Sequence, residues 1–168
     1  PLHFIVVGAT SGIGAEVTRC LTAAGNKVTA LDIAAPCNTN VEWVPVDLAE
    51  PRSISQAAAR LKGTFDGLAN VAGVPGTGGS DLTMRVNFLG IRAVTNAVLP
   101  KLRRHSSIVN VASRAGHQWP LRLQQHLELA KTNSYESGLS WLAQHPVSNN
   151  NAYPYSKEVL RVWTRLKA

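Results

Sequence analysis

Leu2-His3-Phe4-Ile5-Val6-Val7-Gly8-Ala9-Thr10-Ser11-Gly12-Ile13-Gly14 opens the chain, and its reading decides the fold. Leu2 to Val7 is an apolar run of the kind expected of a parallel strand covered on both faces. The glycines after it permit a tight turn and close approach of backbone to a ligand. A helix follows from about Ile13 to Ala24, with Val17, Leu21 and Ala24 on one stripe and Gly25-Asn26 as its stop. In this order of strand, turn and helix start, unpaired N–H groups and a positive dipole end face a ligand. That is a seat for the pyrophosphate of a dinucleotide.

Working outward, strand and helix signals alternate. Strands are expected over Lys27 to Ile33, Glu42 to Asp47, Asp66 to Val71 and Ser107 to Ala112. A short helix opened by Pro51 runs to Leu61, the fixed φ of proline suiting a first turn. After a glycine-rich loop, a long helix spans roughly Asp81 to Arg104, with Pro100 placed to kink or shorten it. This β-α-β-α order predicts an α/β fold with a parallel sheet and helices on both faces, in one domain. The connection from Arg114 to Asn151 is far longer than such loops normally are. Leu121 to Lys131 and Tyr135 to Gln144 in it read as helices, with Trp119, Leu123, Leu127, Leu139 and Leu142 available for burial. A last helix, Pro154 to Leu166, has Asn151 as its candidate cap.

The totals set limits. A chain of 168 residues with 45% hydrophobic content suits one globular domain with an ordinary core. No apolar run approaches the length of a membrane span. Leu2 to Val7 lacks the flanks of a secretory signal, so the cytoplasm is the expected setting. Pro1 in place of an initiator Met is consistent with trimming. Cys20 and Cys37 do not make a disulfide framework; Cys20 is expected on the buried side of its helix and Cys37 in a polar loop. The five histidines show no metal-ligand spacing, and no metal is expected. The net charge of +7 raises a nucleic-acid reading. Its carriers, however, are spread over helices (Lys101, Arg103, Arg104; Arg161, Arg165, Lys167) and read as solvated faces.

Asp32 stands at the carboxyl end of the second strand, where a carboxylate can accept both hydrogen bonds of an adenosine ribose. Its charge repels a 2′-phosphate, which favours NAD(H) over NADP(H). Thr10 and Ser11 in the turn offer no cation to a phosphate. Near the other end, Tyr153-Pro154-Tyr155-Ser156-Lys157 places a tyrosine and a lysine four residues apart on one helix face.

These stretches together resemble the short-chain dehydrogenase/reductase family. Its glycine spacing is matched by Gly8, Gly12 and Gly14, with Ser11 and Ile13 between them. Val46-Asp47-Leu48, Asn70-Val71-Ala72-Gly73 (Val71 standing where the family has a second Asn), Val86-Asn87-Phe88-Leu89-Gly90 and Ile108-Val109-Asn110-Val111-Ala112-Ser113 follow in register. The long stretch between Ser113 and Tyr153 is similar to the NAD-dependent 3α-hydroxysteroid dehydrogenase/carbonyl reductase subgroup, with 114–151 as a helical insertion.

The resemblance implies a Rossmann-type doubly wound parallel sheet of about five strands, order 3-2-1-4-5. It also implies reversible hydride transfer between a nicotinamide and a secondary alcohol or ketone, possibly a hydroxysteroid. Asp47 and Leu48 would meet the adenine ring, and Asn70, Ala72 and Gly73 would line the cofactor. Tyr153 would be the general acid–base. A free tyrosine is a poor base near neutrality, and Lys157 would favour its phenolate while also holding the nicotinamide ribose. Ser113 would hydrogen-bond the substrate oxygen, and Asn87 would hold a water of a proton relay.

Family members continue past the equivalent of Ala168 with two more strands, a substrate-covering loop and a helix. Either the chain is a fragment of a longer protein or it is a truncated relative. The expectation is that these 168 residues alone turn over poorly or not at all, whereas a full-length parent is an active, homo-oligomeric oxidoreductase, a dimer being favoured. Competing expectations are a non-catalytic NAD-binding regulatory module, which could dispense with Tyr153 and Lys157, and a basic nucleic-acid-binding protein, for which only the charge speaks.

Overall fold

The computed structural model describes all 168 residues. They form two compact units, Pro1–Ala72 with Val94–Val111, and Gly73–Ala93 with Ala112–Ala168.

The first unit is built on a five-stranded sheet: β1 (His3–Val7), β2 (Lys27–Asp32), β3 (Glu42–Pro45), β4 (Phe65–Asn70) and β5 (Leu102–Asn110). All pairings are parallel and the order is β3-β2-β1-β4-β5, the Rossmann-type arrangement expected. Helices α1 (Gly12–Ala23) and α2 (Pro51–Arg60) connect the first strands. Ile5, Val6 and Val7 are completely buried, as the apolar run of β1 requires of a central strand. Val6, Val28, Ala30 and Val41 form one cluster, against which Val17 and Leu21 of α1 close. Because β1 lies between β2 and β4, the chain direction across the sheet reverses beside it, and ligands bind at such a switch point.

The second unit is helical. It contains α3 (Ser80–Met84), a π-helical stretch Arg85–Gly90 and the start of α4 (Ile91–Val98). Tight 3-10 turns follow over Arg114–Arg122, interrupted at Gly116, then α5 (Leu123–Lys131), α6 (Tyr135–Gln144) and α7 (Asn149–Lys167). Phe88, Leu129, Val159, Leu160 and Trp163 are among its fully buried side chains. Phe88 meets Trp163 edge-on, with ring centroids 6.4 Å apart.

Several expectations need correction. The long helix does not reach Arg104. Pro100, with no N–H to donate, lies in a single 3-10 turn (Leu99–Lys101), and the chain becomes β5 at Leu102. Arg103 and Arg104 are therefore strand residues, and Arg103 pairs with Asp66. The register slips between Phe65 and Gly67 of β4, and His105, at φ 68°, takes up the slack. The strand ends at Asn110, short of Ser113. The last helix starts at Asn149 after Ser148, not at Pro154, so Asn151 lies within its first turn and is not its cap. Cys20 is exposed, not buried, because the stripe of α1 faces inward through Gly14 and Thr18.

Two polar clusters hold the second unit. Arg92 on α4 is 3% exposed, and no carboxylate meets it. Its guanidinium instead donates to the carbonyls of Leu129 (3.1 Å), Thr132 (2.9 Å) and Ser134 (2.6 Å), closing the α5–α6 turn. Burial pushes its pKa below the usual guanidinium value. Arg92→Met keeps the stem and removes every donor, so the Thr132 carbonyl loses its bond and the Leu129 and Ser134 carbonyls keep only their local donors. It should lower unfolding stability in urea by about 1–3 kcal/mol, and an unchanged midpoint would show that the guanidinium contributes nothing.

The second cluster is on α7. Glu158, fully buried, accepts from Arg122 Nε (3.0 Å) and Nη2 (2.7 Å) and lies 2.7 Å from His126 Nε2. His126 Nδ1 is buried without a partner, so a proton added there would have no acceptor. Burial holds the imidazole below its ordinary pKa of 6.5, with Glu158 opposing and Arg122 assisting. The unfolded chain takes this proton near pH ~6.5, whereas the folded chain does so only at lower pH. Stability from this group is therefore complete above that pH and is lost as pH falls toward the folded value. Unfolding free energy should drop from pH 7 to 5 with a slope of at most about 1.4 kcal/mol per pH unit from this one proton. His126→Gln should flatten that slope; equal slopes would rule out His126 as its source.

Candidate active site

In the first unit the glycine turn leaves β1 and enters α1. Gly8 has φ 81°, and a Cβ there would lie 2.5 Å from the backbone of Ala72, so β1 and the residue after β4 meet backbone to backbone. A Cβ on Gly14 would collide with the Gly8 carbonyl. Gly12, at φ 49°, has nothing within 4 Å of its Cβ position, so that side of the turn is open. Ser11 caps α1 through extended backbone and makes no side-chain cap bond. The N–H groups of the first turn thus face open space, as a pyrophosphate seat requires.

Other positions around this turn are distributed unevenly. Asn70, at the end of β4, is buried; its Nδ2 donates to Thr95 and Asn110, while its Oδ1 has no partner. An orphaned buried acceptor beside Ala72 fits a site that a ligand donor completes. Asp32 accepts from Thr10 through both the backbone N–H (3.0 Å) and the hydroxyl (2.9 Å). Asp47 is exposed and its Oδ1 accepts from Ala49 N–H (2.8 Å), ordering the approach to α2, while Leu48 is buried. The residues present therefore fit a dinucleotide: open helix N–H groups, an orphaned acceptor, and a carboxylate tied to the turn.

In the second unit, Tyr153 and Lys157 share a face of α7, with Lys157 Nζ 5.8 Å from the centre of the Tyr153 ring. Lys157 is 3% exposed, and burial pushes its pKa below the ordinary lysine value. A cation so stripped of water acts on its neighbours with less screening. A Cβ on Gly73 would lie 3.4 Å from both Lys157 Nζ and Asn87 Oδ1, which puts Asn87 and Lys157 beside the same glycine.

Asn87, fully buried, pairs with the backbone of Val74 in both directions, accepting at 2.8 Å and donating at 3.0 Å. Its Nδ2 also donates to Ser156 Oγ (3.1 Å), and Ser156 donates to the Tyr153 carbonyl (2.7 Å). Ser113 precedes the 3-10 turns and its Oγ accepts from Ala115 N–H (3.1 Å), leaving its own hydrogen to donate elsewhere. Tyr155 faces away, stacked edge-on against His126 (4.5 Å) with its hydroxyl toward Gln125. Burial pushes its pKa up to about 12.

Sequence reading missed three supports of this arrangement. Ser156 lies between Tyr153 and Lys157, but nothing local marks its bond to Asn87. Gly116 admits the backbone of Lys157, since a Cβ there would lie 2.9 Å from the Lys157 carbonyl. Glu158 follows Lys157 and resembles any helix-surface acid until its burial is seen.

Comparison with known proteins agrees with this geometry. The family model for short chain dehydrogenases matches residues 3–123. A coniferyl-alcohol dehydrogenase of Pseudomonas sp. (strain HR199) is 43% identical over 164 residues, covering 98% of this chain and 64% of that protein. The short chain dehydrogenase ausX of Aspergillus calidoustus is 32% identical over 131 residues, 66% of this chain and 51% of that protein. Among solved structures, the 3-alpha-hydroxysteroid dehydrogenase from Pseudomonas sp. B-0831, complexed with NADH, superposes with TM-score 0.74 at 26% identity, over 98% of this chain and 63% of that one. The chain thus spans less than two thirds of the length of these relatives. No helix is long and apolar enough to cross a membrane. With its fold, its motifs and the matched residues in agreement, the chain belongs to the short-chain dehydrogenase family of oxidoreductases.

Proposed function

We propose that the protein of which this chain is part interconverts an alcohol and a carbonyl compound with NAD(H), Tyr153 acting as general acid–base. The observation that carries this reading is the buried Lys157 cation on the same helix face as Tyr153, 5.8 Å from its ring. A lysine buried without catalytic use is costly, and a regulatory module would gain nothing from it.

In the oxidising direction Tyr153 Oη takes the proton of the substrate alcohol, and the ammonium of Lys157 stabilises the phenolate that receives it. Ser113, whose Oγ already accepts from Ala115 N–H, is left to donate to the substrate oxygen and steady its charge. Asn87 holds the Gly73–Val74 turn and, through Ser156, the Tyr153 carbonyl. Bound at the glycine turn, with Gly8, Ser11, Gly12, Ile13 and Gly14 around its pyrophosphate, a nicotinamide cofactor would supply the hydride acceptor. Asp32 favours NAD(H) over NADP(H) by repelling a 2′-phosphate.

For the substrate, the relative at 43% identity favours an aromatic alcohol of the coniferyl type. The hydroxysteroid class is supported by a solved structure at 26% identity and comes second. A homodimer and a cytoplasmic setting belong to the same reading of the whole protein.

The test is NADH formation with coniferyl alcohol, simple secondary alcohols and a 3α-hydroxysteroid, for the parent and for Tyr153→Phe. The variant should bind NADH as the parent does and lose about 10²–10⁴-fold in rate. A variant as fast as the parent would remove Tyr153 from the chemistry. Tight NADH binding with no turnover of any alcohol would favour the regulatory module.

A further inference from the structure

Asp32 is held in an unusual way for a residue expected to accept both hydrogen bonds of a ribose. Its Oδ2 accepts from Thr10 N–H (3.0 Å) and from Thr10 Oγ1–H (2.9 Å), while its Oδ1 has only Ala34 N–H at 3.4 Å. A carboxylate presents about four acceptor directions; Thr10 takes the two on Oδ2 and leaves Oδ1 nearly unused. The main chain is fixed as well, because the Asp32 carbonyl accepts from Trp43 Nε1 (3.1 Å) and Val46 N–H (3.1 Å). With the backbone held by β3 and one oxygen held by the turn, the carboxylate has one orientation.

We infer that Thr10 is a specificity-determining residue for the dinucleotide. Its hydroxyl locks Asp32 so that Oδ1 alone receives the ribose and the negative charge stands where a 2′-phosphate would be placed. This rests on the NAD(H) reading above and goes a step further, assigning part of the discrimination to a side chain that carries no charge.

Repulsion varies inversely with distance. A carboxylate free to rotate about its two side-chain torsions can withdraw from about 4 Å to about 7 Å and shed nearly half of it. Without the Thr10 hydroxyl, Asp32 keeps only the Thr10 N–H on Oδ2 and yields more readily to a 2′-phosphate. The same bond ties the turn that receives the pyrophosphate to the acid that receives the ribose. Both ends of the adenosine half are therefore set by one threonine.

The test is calorimetric titration of NADH and NADPH into the full chain and into Thr10→Val, Thr10→Ala, Thr10→Ser, Asp32→Asn and the Thr10→Val/Asp32→Asn double variant, each checked for folding by circular dichroism. The parent should bind NADH more tightly. Thr10→Val should narrow the NADH-to-NADPH preference about tenfold, the size expected for one hydrogen bond to a charged acceptor. Thr10→Ser should stay within about twofold of the parent. In the Asp32→Asn background the valine should change the preference by less than about twofold, because the partner through which it acts is gone.

Thr10→Ala gives the same reading should the valine variant not fold. An unchanged preference in both Thr10→Val and Thr10→Ala, with the parent still favouring NADH, overturns the role of Thr10 and leaves the cofactor reading standing. An equal effect of Thr10→Val with and without Asp32 also overturns it. If the parent binds neither dinucleotide, or prefers NADPH, the cofactor reading fails and this inference fails with it.

Discussion

The second unit depends on how closely α7 approaches the residues behind Ser113. Backbone meets backbone at Gly116 and Lys157, where no side chain fits, and a few residues further on Arg122 closes on the buried Glu158 with two hydrogen bonds. Glu158 follows Lys157 directly, so whatever fixes its rotation about the helix axis also fixes where Lys157 and Tyr153 point. A buried ion pair adds little net stability, because desolvation offsets most of its attraction, but breaking one is costly. Its value here is in arrangement: it selects one rotation of α7 against the segment that carries Ser113.

The first unit solves a similar problem by similar means. Its critical element is the turn between β1 and α1, which has no regular structure of its own to hold it. Gly8 holds it from one side, by contact with Ala72 that excludes a side chain, and Asp32 holds it from the other through Thr10. In both units a carboxylate orients a segment that carries candidate site residues. Several cations are committed in the same way. Arg92 holds the α5–α6 turn, Arg103 pairs with Asp66, Lys101 donates to the Leu61 carbonyl, and Lys157 is buried beside Tyr153. Part of the +7 charge thus has an intramolecular use, and this weakens the case for a nucleic-acid surface.

How much of this was legible follows from the range of the forces involved. A parallel sheet was readable because burial of a central strand imprints on Ile5 to Val7, and the glycine turn because close contacts at Gly8 and Gly14 exclude a side chain. The order β3-β2-β1-β4-β5 was readable only through the family resemblance. Helices α5 and α6 were found nearly to the residue, since an amphipathic stripe is a local signal. The run from Leu99 to His105 was misread because its basic residues suit a helix surface and an edge strand equally. The pairing of Leu102 with Phe65 decides the matter, and no local pattern shows that pairing. Glu158, His126 and Arg92 were invisible for a related reason. A charged residue on a helix is normally exposed, and these are buried only because their partners arrive from distant parts of the chain.

The π-helical stretch Arg85–Gly90 shows why periodicity alone could not place Asn87. An α-helix offers a stripe to the interior, yet every residue from Asn87 to Arg92 is buried. A wider turn inserts a residue and shifts the phase of everything after it, so Asn87 and Arg92 both face inward from one continuous helix. The Asn87 amide pairs with Val74 in both directions, as a strand neighbour would, and also reaches Ser156. A side chain so committed is a scaffold before it is a water holder. Its bonds fix the glycine beside Lys157 and, through Ser156, the backbone of Tyr153. The irregular turn therefore helps to set the geometry around Tyr153 and Lys157, and restoring regular helix there would release Val74 and Ser156 together.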